Sequence, residues 1–154
     1  MEDRPQILII IGSESDGERI AKLPQTLDWF GAPYELTVSS AHRQPHQTIE
    51  LAATAKKEGF KVIIAAAGMA AHLPGVAAAH TSLPVIGLPL DASSLRGTDA
   101  LYSIVQMPPG VPVAAVGING AVNAALLAVR IIALSDSEVE AKLEQFIASG
   151  CKML

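Results

Sequence analysis

The chain has 154 residues, half of them apolar, with a formal net charge of −4; its mean hydropathy is +0.37 and its pI is near 5.5. That length suits one domain with a sizeable core, and the acidic balance argues against a nucleic-acid or anionic-membrane partner. A single cysteine, Cys151, excludes an internal disulfide and fits a reducing, cytoplasmic compartment.

The start, Met1 to Pro5, carries mixed charge, and the apolar run that follows it is too short for a signal-peptide core. That run, Ile7 to Ile11, is rich in β-branched residues and predicts the first strand. Tyr34 to Val38, Lys61 to Ala66, Pro84 to Leu88 and Val113 to Ile118 predict four more. Continuous apolar runs of this length suit strands buried on both faces, as in a parallel sheet. Helical patterns lie between them. Ile20, Leu23, Leu27 and Phe30 mark one face of the first helix, and Gly31 suits its C-terminal cap. Pro24 falls inside that pattern and predicts a kink, at about 3 kcal/mol for a mid-helix proline. Pro45 suits the first turn of the second helix.

Val111 to Leu134 is apolar enough to raise the question of a membrane span, but Pro112, Gly117, Asn119, Gly120, Asn123 and Arg130 interrupt it. A spanning helix needs about 20 largely uninterrupted apolar residues. The stretch therefore reads as a strand, a turn and a helix apolar on every side, either central or at an interface. Ser135 and Glu138 have capping-box spacing for a last helix over about 136–149. Its stripe of Val139, Leu143, Phe146 and Ile147 can pack on its own domain or on a neighbouring subunit. With no repeat or linker, residues 1–154 read as a single domain. The fold class is α/β: a doubly wound, flavodoxin-like three-layer sandwich with a central five-stranded parallel sheet. The apolar excess predicts a homo-oligomer.

Ligands of such sheets bind beyond the carboxyl ends of the strands, and three segments there carry chemistry. Gly12-Ser13-Glu14-Ser15-Asp16-Gly17 follows the first strand and offers backbone N–H groups and hydroxyls to an anion. It is neither a dinucleotide fingerprint nor a P-loop, and Ser15 with Glu18 also has capping-box spacing. Ser39-Ser40-Ala41-His42-Arg43 follows the second strand. It joins a planar phosphate-binding guanidinium to an imidazole that exchanges protons near neutral pH. Ala65 to Gly75 follows the third strand, with small residues that let backbone approach a ligand and with His72, read as structural or ligand-orienting. His46 and His80 read as surface residues. No metal site is expected, because Pro45 separates His42 from any helical register with His46 and there is no cysteine cluster or HExxH motif. Gly12-Ser13-Glu14 also lacks the second glycine of a nucleophile elbow.

Taken together the motifs are specific. Gly12-Ser13-Glu14-Ser15-Asp16, Ser40-Ala41-His42-Arg43, Ala70-Ala71-His72-Leu73-Pro74-Gly75, the run Ser94 to Pro108 and Asn123 to Ala128 occur in one order along the chain. They resemble the motifs of the N5-carboxyaminoimidazole ribonucleotide mutases, bacterial-type class I of the PurE family. The resemblance implies an isomerase of de novo purine biosynthesis that moves a carboxylate from nitrogen to carbon. It also implies no cofactor, carbon dioxide as a trapped intermediate, and a homo-octamer. By the same resemblance His42 is the general acid and base. Ser13, Ser40 and Arg43 hold the phosphate with help from Ser15, and Asp16 accepts from the ribose hydroxyls. Ala67, Gly68, Leu73 and His72 line the base and the migrating carboxylate. Two positions depart from the family pattern: Met69 stands where a second glycine is common, and Gly17 where a large apolar residue is common. The alternatives are direct carboxylation of aminoimidazole ribonucleotide by carbon dioxide, a non-catalytic nucleotide-binding module, and a structural domain that is mostly interface.

Overall fold

A computed structural model describes residues 4–153; Met1 to Asp3, part of the mixed-charge start, lie outside them. Five parallel strands form one sheet in the order β2-β1-β3-β4-β5, with β1 Ile7–Ile11, β2 Tyr34–Val38, β3 Val62–Gly68, β4 Val85–Leu90 and β5 Ala114–Ala115. This is the flavodoxin-like order that the strand pattern predicts. β1 and β2 have the predicted bounds, while β3 and β4 sit slightly later than predicted. β5 is much shorter than Val113 to Ile118. The chain beyond it still tracks β4, through Val116 N–H to Gly87 O at 3.1 Å and Asn119 N–H to Pro89 O at 2.8 Å, without forming a regular ladder.

Alternation along the inner strands builds two cores. Ile7, Ile9 and Ile11 face the side covered by α1 (Lys22–Phe30), α5 (Ala121–Ala133) and α6 (Ser137–Ala148). Leu8 and Ile10 face the side covered by α2 (Pro45–Glu58), α3 (Leu73–Ala79) and α4 (Thr98–Val105). With helices on both faces, β1 is wholly buried and nearly uniformly apolar, as a parallel sheet requires. The edge strand β2 differs from that expectation. Glu35 and Leu36 are exposed, because β2 pairs with β1 alone.

Pro24 does not kink a helix. α1 begins at Lys22, after a run of turns, so Pro24 is its third residue. The first turn has no intrahelical partner for its N–H groups, and a proline there forfeits no hydrogen bond. Gly31 caps α1 at φ 65° and donates to Asp28 O. Pro45 opens α2. α5 is central: its Ala124, Ala125, Ala128 and Ile132 are buried in the core that α1 and α6 share. Among the described residues no helix is long and apolar enough to cross a membrane.

The cap of α6 also differs from its prediction. Asp136, not Ser135, is the N-cap, and its Oδ1 accepts from Glu138 N–H and Val139 N–H, each at 3.1 Å. Val139, Leu143 and Phe146 pack into the chain's own core, whereas Ile147 stays exposed. The hydrogen bond from Val139, and one from the Gln6 side chain, hold the Asp136 carboxyl below its ordinary pKa. A carboxylate with a depressed folded pKa adds stability above its unfolded pKa, near 3.9, and loses it as the pH falls. Asp136→Ala is therefore expected to lower stability by about 1 kcal/mol at pH 7. The deficit shrinks once the pH drops below about 4, as urea unfolding at the two pH values would show.

Candidate active site

The carboxyl ends of β1, β2 and β3 open into one cavity of about 430 Å³. Its lining includes Ser13, Ser15 and Asp16 from the loop after β1, and Ser40, His42 and Arg43 from the loop after β2. Ala67, Gly68, His72 and Leu73 contribute from the end of β3 and the start of α3. Every site residue singled out from the sequence thus borders the same space.

The first loop is a tight turn, not a direct entry into α1. Ser13 caps a short 3-10 segment, Glu14–Asp16, by accepting from Ser15 N–H, and the two serine hydroxyls lie 3.0 Å apart. Ser15 is therefore not the cap that its spacing with Glu18 offered. Gly17 has an ordinary φ of −54° and closes the segment by donating to Glu14 O. Asp16 is 7% exposed. Burial pushes its carboxyl above the ordinary carboxylate range, while Arg19 and the hydrogen bond with the Ser13 backbone pull it back.

The second loop is braced by its own side chains. Arg43 N–H donates to Ser40 Oγ at 3.2 Å, and Ser40 N–H donates to Gln44 Oε1 at 3.4 Å. Beneath them the fully buried Ser39 shares a 2.8 Å hydrogen bond with Thr48 of α2. Both hydroxyls of this segment therefore brace the loop, and Ser40 also borders the cavity.

His42 Nε2 and His72 Nδ1 are 2.5 Å apart, with the rings edge to face at a centroid distance of 4.7 Å. Both imidazoles are exposed to the cavity side. Two nitrogens that share one hydrogen bond require one to carry the proton and the other to accept it, so each ring sets the tautomer of its neighbour. His80 is exposed and bonded to Val76 O at 2.9 Å, and His46 is exposed on α2. Among the described residues no three His, Cys, Asp or Glu side chains converge as a metal-binding group.

The third wall is small. A Cβ on Gly68 would lie 2.5 Å from the Ala92 Cβ and 3.3 Å from Leu90 O, so glycine lets the ends of β3 and β4 approach. Met69, at φ 54°, occupies the left-handed region and is 58% exposed. Its side chain borders the cavity yet lies mostly in solvent. The left-handed conformation costs a side-chain-bearing residue roughly 1–2 kcal/mol, and glycine's extra chain entropy offsets part of that gain. Met69→Gly is expected to raise the thermal midpoint by roughly 1–2 °C. A lower midpoint in calorimetry would contradict this account.

Two lining residues escaped the sequence reading, Arg19 and Ala92. Arg19 stands three residues after Asp16, a spacing that signals an ion pair, but its reach to another strand end has no sequence signature.

The sequence matches the family described as AIR carboxylase over residues 6–151. It is 54% identical to an N5-carboxyaminoimidazole ribonucleotide mutase of Vibrio vulnificus, over 90% of this chain and 87% of that protein. It is also 54% identical to a phosphoribosylaminoimidazole carboxylase of Saccharomyces cerevisiae, over 94% of this chain but only 25% of that longer protein. The fold superimposes on the crystal structure of Treponema denticola PurE with a TM-score of 0.84, at 31% identity. The match covers 96% of this chain and 92% of that one.

Proposed function

Because this chain belongs to the AIR carboxylase family, we propose that it converts N5-carboxyaminoimidazole ribonucleotide to 4-carboxy-5-aminoimidazole ribonucleotide. The observation that carries the proposal is the paired His42 and His72 in the same cavity that Ser13, Ser15, Ser40 and Arg43 line. A proton-transfer group thus shares one cavity with a set of side chains suited to a phosphate.

The reaction needs no net oxidation or hydrolysis. His42 gives a proton to the exocyclic nitrogen as the N–carboxylate bond breaks, releasing carbon dioxide and leaving aminoimidazole ribonucleotide. C4 of the electron-rich imidazole then attacks the carbon dioxide and forms the new C–C bond. The proton displaced from C4 returns to His42, so one residue closes the proton balance. His72 fixes the His42 tautomer between the two steps. The phosphate takes the Arg43 guanidinium and the serine hydroxyls, with Asp16 on the ribose. Ala67, Gly68 and Leu73 leave room for the base and keep the released carbon dioxide among apolar walls. No metal or cofactor takes part in this scheme.

The exposed Leu95, Tyr102 and Val105, along one stretch leading into and through α4, are 62%, 63% and 49% accessible. Such a stripe supports assembly of the chain into a homo-oligomer, which the family resemblance makes a homo-octamer. A cytoplasmic setting suits the exposed lone thiol of Cys151.

The test is product absorbance with either the N-carboxylated substrate or aminoimidazole ribonucleotide plus bicarbonate, without ATP or metal, with light scattering on the same preparation. Rapid turnover of the N-carboxylated substrate alone supports the mutase. Efficient use of aminoimidazole ribonucleotide at low bicarbonate favours direct carboxylation by carbon dioxide. Activity with neither substrate rejects both.

A further inference from the structure

Arg19 joins parts of the site that the sequence holds far apart. Its Nε donates to Asp91 O at 3.0 Å, just beyond the end of β4. Its Nη1 donates to Ser15 O at 3.3 Å and lies 3.9 Å from Asp16 Oδ1. Asp91 is held in turn from the next crossover, since its N–H donates to Asn119 Oδ1 at 3.0 Å. Asn119 is itself pinned at φ 56°, with its N–H on Pro89 O at 2.8 Å. One guanidinium therefore ties the turn after β1 to the end of β4, and through Asp91 to the loop ahead of α5.

Two of its donor groups are committed to carbonyl oxygens, so Arg19 is poorly placed to act as a second phosphate fork. We propose that Arg19 is a positioning residue that holds the Ser13–Asp16 turn against β4 and sets the Asp16 carboxylate toward the ribose of the bound nucleotide. The proposal rests on the ribonucleotide reading of the cavity and assigns that reading a residue which itself need not touch substrate.

Among the described residues Asp16 is the only carboxylate lining the cavity, and the other charged or titratable groups there are Arg19, His42, Arg43 and His72. His42, Arg43 and His72 come from the other two loops. Arg19 opposes the effect of burial on Asp16. Removing that cation leaves only the hydrogen bond with the Ser13 backbone to oppose burial, so Asp16 takes up its proton at higher pH. A protonated carboxyl is a weaker acceptor for ribose hydroxyls, and the binding defect of the variant must therefore grow as the pH falls. A purely structural role would give a loss that does not depend on pH in this way.

The experiment is calorimetric titration of aminoimidazole ribonucleotide into the wild type, Arg19→Met and Arg19→Lys between pH 5.5 and 8, each also in an Asp16→Asn background. Affinity ratios to the parent at each pH cancel the titration of the nucleotide's own phosphate and of the histidines. Arg19→Met is expected to bind about tenfold more weakly at pH 8, with the ratio widening toward pH 5.5. The widening disappears in the Asp16→Asn background. Arg19→Lys restores the wild-type pH dependence but only part of the affinity, because an ammonium lacks the planar fork that spans two carbonyls. Wild-type binding by Arg19→Met, or a loss that is constant with pH, overturns the proposal. A wild type that binds the nucleotide without rearranging the N-carboxylated substrate overturns the mutase reading and leaves Arg19 to be judged on the affinities. A wild type that does not bind overturns both.

Discussion

His42→Asn is expected to bind nucleotide with near wild-type affinity and to lose turnover by roughly 10²–10⁴-fold, the range of a positioned general acid–base group. The fold does not depend on the imidazole. His42 sits in an exposed loop, outside both cores, and its polar partner is His72. Asparagine keeps a hydrogen-bonding side chain of moderate size but does not titrate near neutral pH, so it cannot hold the proton between the two half-reactions. Product absorbance and calorimetric binding on the same preparation separate the two properties. Turnover within tenfold of the wild type would remove His42 from the role assigned to it.

The second large effect belongs to Arg43. Arg43→Ala is expected to raise KM by roughly 10- to 100-fold while kcat changes only a few-fold, from the loss of charge-assisted hydrogen bonds to phosphate. The brace that shapes this loop runs through the Arg43 backbone N–H to Ser40 Oγ, and alanine retains that N–H. The substitution therefore removes the guanidinium without dismantling the loop. Steady-state kinetics with the N-carboxylated substrate measure the split. An unchanged KM would mean that the phosphate is held elsewhere.

Much of this molecule was legible in its sequence because the inner sheet is buried on both faces. Ile7 to Ile11 reads as a strand and is one, since every position meets apolar neighbours. β2 shares that legibility in its bounds but not in its burial, because edge position is a property of the whole sheet. β5 was overestimated for a related reason: apolar composition reports burial, while a ladder requires backbone geometry that the turn around Gly117 and Asn119 does not keep. Pro24 misled because its own helix starts later than the apolar pattern, which begins at Ile20. Asp136 was passed over for Ser135 because both are good caps, and one residue of register decides between them. In the site, segments at strand ends were foreseeable because topology gathers them. The contact of His42 with His72, and the reach of Arg19 to Asp91, depend on side-chain directions that spacing along the chain does not encode.

The cavity wall contains Ala41, Ala67, Ala70 and Ala92 beside Gly68. Met69, His72 and Leu73 border the chamber elsewhere, but along this wall, already made of the smallest side chains, mutation has almost no way to enlarge it. Nearly every substitution adds volume, and at the fully packed positions added volume also strains the sheet. The evolutionary paths open to this site are therefore lopsided. It can drift toward smaller or differently shaped ligands by filling, but room for a bulkier base on this side would require moving strands β3 and β4 apart. That constraint makes the ligand preference of the scaffold hard to broaden by stepwise change, even though its surface loops remain free to vary.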